Sequence, residues 1–532
     1  MTRTEVDFWA GAYAHRRIDR REFLGRAGAL GLTAAAAQTL LAAGDRARAA
    51  TPVKGGDLIL GWYTSSASDT LKPTRQTSTT DYVRSMQVGS TLVRYGADLT
   101  PRPDLAEEWE ANADATVWRF KLRGDVTFHN GKAMTLDDVI YSLNLHRGDD
   151  TDSVIKSFFT PVKDIRKDGD DVLVIELEAP NGDLPMYVGD THTVIVPEGF
   201  TDWNNFVGTG PFKLSRFEPG VEMLAERYDA FYGRAPHVNS VSSIGISDTA
   251  ARINALIAGD IHYTVRVDPK LVELVERAPG VEMAAAKGSR HITFPMMADA
   301  PPFDNPDLRM AIKLMADRRG MLETVLRGYG SLGNDTPIGP SDRYFCDELD
   351  QREQDLERAR FHLQRADMLG ATVKLHASEA AGGPQGPDLA LHLAQSAADA
   401  GLTIDIQREP SDGYWSNIWM KRPFHMSNWM PRATADLRFT LVHFSDAKWN
   451  EGRWGSEELD RLISQARGMK DGFERQEIYC RAQRIVNENG GSLVPVFTDW
   501  LDARSERLQG WTGHPLGEGD GYRIAENAWL EG

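Results

Sequence analysis

The chain has 532 residues, of which 41% are hydrophobic and 26% are charged, and it carries a formal net charge of −17. This composition is that of an ordinary soluble globular protein, and the length exceeds what one core supports, so two or three domains are expected. The acidic balance opposes binding to nucleic acid and to anionic membrane surfaces.

An export signal is predicted at the amino terminus. Asp19-Arg-Arg-Glu-Phe-Leu-Gly25 supplies a basic segment, residues 27–43 are uncharged, and small residues stand at the exit Ala47-Arg48-Ala49. Because the uncharged run is too short and too weakly apolar to span a bilayer, residues 1–49 are interpreted as a removable signal peptide. The arginine pair followed by Phe-Leu resembles the twin-arginine motif, whose route exports folded proteins, so a periplasmic location is predicted.

The rest of the chain alternates between strand and helix patterns. Strands are predicted at residues 58–63, 118–122, 172–177, 373–377 and 402–406. Helices are predicted at residues 135–143, 248–258, 307–316, 356–369, 389–400 and 457–467. Thr135 with Asp138 is a capping pattern, Gly259 is a helix stop, and residues 380–387 are predicted to be a loop. This alternation favours a mixed α/β fold, although it leaves the sheet order open.

The cysteines and histidines form no recognisable metal or redox motif. Cys346 and Cys480 are far apart in sequence and are interpreted as two buried free thiols, with a disulfide as the alternative outside the cytoplasm. The thirteen histidines are scattered. Neither a metal nor another cofactor is therefore expected.

Three blocks in the chain carry a family resemblance. The first comprises residues 104–109, DLAEEW, residues 118–131, WRFKLRGDVTFHNG, and residues 135–143, TLDDVIYSL. The second comprises residues 207–214, VGTGPFKL, with residues 226–229, ERYD, and the third comprises residues 304–317. In this order the chain resembles the extracellular solute-binding proteins of family 5, the peptide, oligopeptide and nickel-type receptors of ABC importers.

The resemblance implies a two-lobed periplasmic-binding-protein clamp of mixed sheets flanked by helices. Lobe one would hold residues 50–296 with an extra subdomain at about 95–200, lobe two would hold residues 297–496, and residues 497–532 would return to lobe one. Two strands crossing near residues 291–297 and 494–498 would form the hinge. A monomeric receptor would then close on a small-molecule or peptide ligand and present it to an ABC permease and ATPase complex, with no catalytic residue.

The predicted ligand contacts of lobe two centre on aromatic residues, which offer broad contact area at low entropic cost. Trp415, Trp429 and Trp449 belong to this cluster, and the family carries a similar tryptophan just before its ligand-contacting loop. In peptide-binding members an aspartate behind that tryptophan pairs with the amino terminus of the peptide. The matching position here is Arg432, which predicts a ligand with an anionic group.

Alternatives remain open for this loop and for the other lobe. A shifted alignment gives the amine-binding role to Asp436, as in a dipeptide or oligopeptide receptor, and Thr434 is included as a neighbouring contact. Arg432 could instead be solvated or pair with Asp436. On lobe one, the resemblance points to Tyr63, Ser65 and the turn at Thr209, where glycine would let backbone N–H groups approach a ligand.

Other functional classes find less support. An exported cofactor-dependent enzyme or hydrolase would need a cysteine cluster, a dinucleotide fingerprint or a nucleophile motif, and none stands in a convincing context. A metal-chelate receptor of the same family would draw on His291, His425 and His443. A peptide-binding chaperone that serves no transporter remains a third alternative.

Overall fold

The computed structural model describes residues 52–531 together with Phe23, Leu24 and Ala27. The chain divides into two units, Met1–Lys54 and Gly55–Gly532. In the first unit Phe23, Leu24 and Ala27 are helical, and the rest of the predicted signal peptide lies outside the described residues. The architecture below is that of the second unit.

The strands of the second unit are numbered in chain order. They are β1 Asp57–Trp62, β2 Val93–Tyr95, β3 Pro101–Pro103, β4 Ala106–Ala111, β5 Val117–Leu122, β6 Val162–Asp168, β7 Val172–Leu177, β8 Phe212–Glu218, β9 Glu222–Arg227 and β10 Ser240–Gly245. They continue with β11 Tyr263–Thr264, β12 Val281–Pro295, β13 Gly330–Leu332, β14 Thr372–Ala377, β15 Thr403–Arg408, β16 Ser427–Trp429, β17 Ser492–Ser505, β18 Leu508–Gln509 and β19 Trp529–Leu530.

The α-helices of eight residues or more in the second unit are α1 Thr79–Val88, α2 Leu136–Asn144, α3 Thr249–Ala258, α4 Pro306–Met315, α5 Leu356–Arg365, α6 Gly386–Ala400, α7 Ala435–Val442, α8 Glu457–Arg467 and α9 Phe473–Asn489. Shorter helical segments cover Lys156–Phe159, Leu184–Tyr187, Val272–Arg277, Arg318–Gly320, Glu379–Gly382, Tyr414–Asn417, Glu518–Gly521 and Ile524–Asn527. Single turns of other helix types cover Pro73–Arg75, Trp203–Asn205, Pro269–Leu271, Met321–Val325 and Gly383–Gln385. Among the described helices none is long and apolar enough to cross a membrane.

A nine-stranded sheet runs through the second unit in the order β16-β12-β17-β11-β1-β10-β9-β8, with β13 added along β17. Strand β1 pairs in parallel with β10 and β11, whereas the other pairs of this sheet are antiparallel. A separate antiparallel sheet has the order β4-β5-β7-β6, and β14 pairs in parallel with β15.

Three buried apolar clusters define the bodies of the fold. Lobe one is built around Trp62, the inserted subdomain packs around Phe120 on the β4–β7 sheet, and lobe two is built around Leu393 of α6. A further cluster around Tyr479 joins α7, α8 and α9, which are counted with lobe two. The arrangement is a two-lobed clamp of mixed sheets flanked by helices, as the sequence predicts.

Strands β12 and β17 connect the lobes. Their antiparallel pairing extends from Val281 opposite Ser505 to Pro295 opposite Ser492, with two register shifts. Ala284 of β12 is buried in the lobe-one core, whereas Phe294 of the same strand is buried in the lobe-two core. The strands expected at the crossing are present, and their action as a hinge stays a prediction, as do the boundaries at residues 296 and 496.

Local sequence signals account for most of the predicted elements. Thr135 and Asp138 form the predicted capping box of α2, Asp248 accepts a hydrogen bond from the Ala251 N–H at 2.7 Å, and Gly259 ends α3 at φ 82°. The loop prediction for residues 380–387 is wrong in part, because short helical segments fill this stretch and α6 begins at Gly386. Ser378 caps the first of these segments.

The cysteine interpretation is also wrong. Cys346 and Cys480 form a disulfide with their Cα atoms 4.9 Å apart, and no free cysteine occurs among the described residues. The sequence separation of 134 hides the pairing, because only the packing of α9 against the segment before α5 brings the two thiols together. In the chain-entropy account, a crosslink over a loop of this length stabilises a fold by about 5 kcal/mol.

Candidate functional site

Two of the cavities among the described residues are lined from both sides of the cleft between the lobes. One, of about 80 Å³, is bounded by Tyr82, His192 and Tyr522 of lobe one and the inserted subdomain, and by Arg432 of lobe two. The other, of about 140 Å³, lies nearer the β12–β17 crossing and includes Arg290. Ligands of two-lobed proteins are enclosed in such interlobe spaces.

Arg432 projects from the loop between β16 and α7. Its backbone carbonyl accepts hydrogen bonds from the Arg438 side chain at 3.1 and 3.3 Å, which fixes the loop. Its Nε is buried and has no hydrogen-bond partner among the described residues. None of the ion pairs in the described part of the chain includes Arg432. The acidic residues Asp436 and Asp342 pair with other arginines, Arg467 and Arg438. The guanidinium is therefore available to an anion.

Asp190 and His192 face Arg432 from across the smaller space. His192 Nδ1 lies 2.5 Å from Asp190 Oδ1, and His192 Nε2 lies 3.0 Å from the Gln76 carbonyl. Burial raises the pKa of Asp190, but the charge of His192 and two hydrogen bonds from it lower the pKa below its usual value overall. This carboxylate is hydrogen-bonded to His192, and the charge of Arg432 also lowers its pKa, although the described side chains of Asp190 and Arg432 form no ion pair.

Asp436 lies in a buried network between α7 and the inserted subdomain. Arg467 Nε donates to it at 3.0 Å, the Tyr187 hydroxyl donates at 3.4 Å, and burial raises the pKa of the carboxyl group. Thr434 caps α7, because its hydroxyl accepts a hydrogen bond from the Leu437 N–H at 3.2 Å. An incoming amine would have to displace Arg467 from Asp436.

The predicted tryptophans form one continuous row. Ring centroids are 5.7 Å apart for Trp415 and Trp419, 6.3 Å for Trp419 and Trp429, and 6.0 Å for Trp429 and Trp449. The terminal members, Trp415 and Trp449, are 44% and 43% exposed. The row therefore exposes aromatic surface at both of its ends.

Glu451 fixes the centre of that row, and sequence reasoning missed it. Its buried carboxylate accepts hydrogen bonds from the indole N–H groups of Trp419 and Trp429 at 2.9 and 3.0 Å, and from Thr293 at 2.6 Å. Burial raises the pKa of Glu451. Its position two residues after Trp449 is the only sequence signal, and that spacing gives no hint of contact with Trp419 or Trp429.

The lobe-one predictions have different surroundings. Tyr63 lies under the guanidinium of Arg266, which is 3.7 Å from the ring centroid, and its hydroxyl donates to Thr79 at 3.4 Å. Ser65 donates to Asp69 at 3.3 Å within its own turn. Thr209 is fully buried, and the glycines beside it make room for the Val88 backbone. Tyr63, Ser65 and Thr209 therefore all make their contacts within lobe one.

A buried acidic group lies on β17. The Tyr263 hydroxyl donates to Asp502 of β17, and burial, followed by the charge of Glu518, raises the pKa of Asp502 to about 8. Glu518 itself is paired with Arg266. Asp502 is therefore protonated at neutral pH.

This pKa predicts a pH-dependent stability. A pKa raised in the folded state gives a contribution that is complete below pH 3.8 and is lost as pH rises toward about 8. Asn cannot ionise, so the melting temperature of Asp502→Asn relative to the parent should increase between about pH 5 and about pH 9. Thermal denaturation across that range measures the difference, and a constant offset would show that Asp502 does not titrate there.

Comparison with known proteins agrees with the geometry. The sequence profile described as bacterial extracellular solute-binding proteins, family 5 Middle, matches residues 100–451. This chain belongs to that family. Family 5 proteins are solute-binding receptors of ABC importers that act outside the cytoplasm, and the chain is therefore a receptor of this kind.

Individual relatives and structures are distant but cover most of the chain. The probable di/tripeptide-binding protein 5 of Pseudomonas aeruginosa is 23% identical over 80% of this chain and 86% of its own length. The Helicobacter pylori periplasmic binding protein DppA, in complex with peptide STSA, has a TM-score of 0.75 at 19% identity, covering 90% of this chain and 99% of its own. The A. tumefaciens protein AgaA, in complex with agropinic acid, has a TM-score of 0.74 at 22% identity, with the same coverage.

The histidines that a metal-chelate receptor would use are buried. Burial lowers the pKa of His291 and of His443 to about 3, and both ring nitrogens of His425 lie at hydrogen-bond distance from backbone groups. Within residues 52–531, no three His, Cys, Asp or Glu side chains form a group that could hold a metal ion.

Proposed function

We propose that this family 5 receptor captures a small organic solute carrying an anionic group and holds that group with Arg432. The observation that carries the proposal is the half-buried guanidinium of Arg432, which faces the interlobe space with an unpartnered Nε and no paired carboxylate among the described residues. Burying an unpaired charge is costly, so a ligand anion that pairs with it contributes strongly to binding. Trp429 would pack beside the ligand.

A dipeptide or oligopeptide ligand is the second candidate, because relatives are named for such ligands. It would require Asp436 to bind the amino terminus of the peptide. The ion pair between Asp436 and Arg467 argues against this role, since the amine would replace a guanidinium already in place. The shared fold does not decide the matter, because DppA and AgaA are described with chemically different ligands.

The proposal includes no covalent step. The receptor would act as a periplasmic monomer that closes on its ligand and presents it to the importer, with no nucleic-acid partner. Export through the twin-arginine route remains part of this proposal. Of the residues predicted to contact the ligand, Arg432 lines the interlobe space. Tyr63, Ser65, Thr209, Trp415, Trp429, Thr434, Asp436 and Trp449 belong to the proposal on the resemblance.

The small molecule that copurifies with the protein tests this proposal. Mass spectrometry after denaturation should identify a compound with at least one carboxylate or phosphate group, chemically unchanged by the protein. Added back at a hundred times its dissociation constant, it should stabilise the fold by about 2.7 kcal/mol. A cationic or uncharged ligand would refute the role of Arg432, and multiple turnovers to a product would refute binding without catalysis.

A further inference from the structure

Arg290, on the connecting strand β12, has an environment that the proposed role of Arg432 does not explain. Its Nε donates to the Asn428 side chain at 3.4 Å, next to Trp429. Its guanidinium faces the cleft space of about 140 Å³, which is lined from lobe one by Arg266 and from lobe two by Gln385. No ion pair among the described residues includes Arg290.

The other charged groups of this space have partners. Arg266 pairs with Glu518, Asp499 pairs with Lys287 at 2.8 Å, and Asp268 accepts hydrogen bonds from the Gln385 side chain and the Lys270 N–H. Burial, followed by the charge of Arg266, lowers the pKa of Arg290 to about 10. The charge of Glu518 offsets part of this lowering, but Glu518 is paired with Arg266 and forms no ion pair with Arg290.

The opposite wall approaches the guanidinium at a glycine. Gly383 has φ 70°, and a Cβ at this position would lie 3.9 Å from Arg290 Nη2, with Gln385 Oε1 at 3.4 Å. A glycine in this left-handed region lets the backbone turn close to the arginine without a side chain entering the space. A planar carboxylate can then pair with the guanidinium through two hydrogen bonds.

We infer that Arg290 forms a second anion-binding subsite, so that the ligand carries two anionic groups, one held by Arg432 and one by Arg290. The inference rests on the proposed function, but it concerns a different space. Arg290 faces Arg266, Glu518 and Tyr63 across the cleft. We assign a carboxylate group of the ligand to this subsite. A phosphate group, which is also an anion with several acceptor oxygens, is the alternative occupant.

Titration calorimetry with a series of unbranched α,ω-dicarboxylates, from succinate to sebacate, and their monomethyl esters tests the inference. One chain length should bind the parent at least tenfold more tightly than its monoester. Arg290→Gln, which keeps a donor for Asn428, should remove that advantage, so that the diacid binds no more tightly than its monoester. Arg290→Lys should restore part of it. The control Arg319→Ala removes an exposed arginine paired with Glu353 and should bind like the parent.

A second arm uses ω-phosphonocarboxylates of the same lengths, and tighter binding there would assign a phosphate-type group to one end. Melting temperatures of the free variants check that they fold. Equal binding of diacid and monoester by the parent, or diacid binding by Arg290→Gln equal to that of the parent, would overturn the second subsite. If no probe binds, the second subsite is overturned as well. The proposed function is tested separately, by the chemical identity of the copurified molecule. Loss of monoester binding in Arg432→Ala alone would support Arg432 without supporting Arg290.

Discussion

Replacing Arg432 by alanine is expected to weaken binding of the copurified ligand by well over tenfold. The ligand anion would be left buried without its partner, which typically costs about 2–5 kcal/mol. The melting temperature of the free protein should hardly change, because the Arg432 side chain has no ion pair with any described residue. Arg432→Lys should recover only part of the loss, since an ammonium group cannot reproduce the planar fork of donors.

Titration calorimetry on the parent and both variants measures this effect, with Arg319→Ala as the matched surface control. If Arg432→Ala binds like the parent, then Arg432 is a solvated loop residue. Attention would then move to Asp436, and a variant that removes Arg467 should in that case strengthen the binding of an amine.

Breaking the ion pair between Asp183 and Arg475 is expected to open the clamp. Asp183 belongs to the inserted subdomain and Arg475 belongs to α9 of lobe two, and both Arg475 Nη atoms donate to the carboxylate at 2.7 Å. Both side chains are buried, with exposures of 2% for Arg475 and 8% for Asp183. Removing one partner of such a pair costs about 3–5 kcal/mol. In Asp183→Ala, opening rehydrates Arg475 and relieves much of that cost.

Small-angle scattering of the ligand-free proteins measures the result. Asp183→Ala should have a larger radius of gyration than the parent, and ligand should reduce the difference. Its apparent affinity should fall in proportion to the lost population of closed molecules. Glu353→Ala, which breaks an exposed pair within lobe two, should leave the profile unchanged. Identical profiles for Asp183→Ala and the parent would show that other contacts hold the lobes together.

The elements that were predictable from sequence depend on local signals. The capping box of α2, the glycine stop of α3 and the alternation in β5 and β7 act over a few residues, so they are visible without the fold. The joint role of Trp429 and Arg432 at a ligand stays a prediction, which comes from their place in one short segment.

The missed site residues depend on long-range packing. Glu451 reaches Trp419 from 32 positions away, and Arg290 reaches Asn428 from 138 positions away. The partner of Asp436 was misjudged for the same reason, since the guanidinium that pairs with it comes from Arg467 on another helix. The sequence shows which residues are charged, but it does not show which cation pairs with which anion in the folded chain.

The bond between Cys346 and Cys480 depends on the redox conditions of the compartment that holds the protein. Reducing systems in the cytoplasm keep thiols apart, and oxidising conditions outside the membrane join them. If the twin-arginine prediction holds, the chain folds completely before export with both thiols still free. Helix α9 carries Arg475 and Cys480, and its disulfide bond would then form only after export. The receptor would therefore reach its full stability against unfolding in the compartment where it meets its ligand.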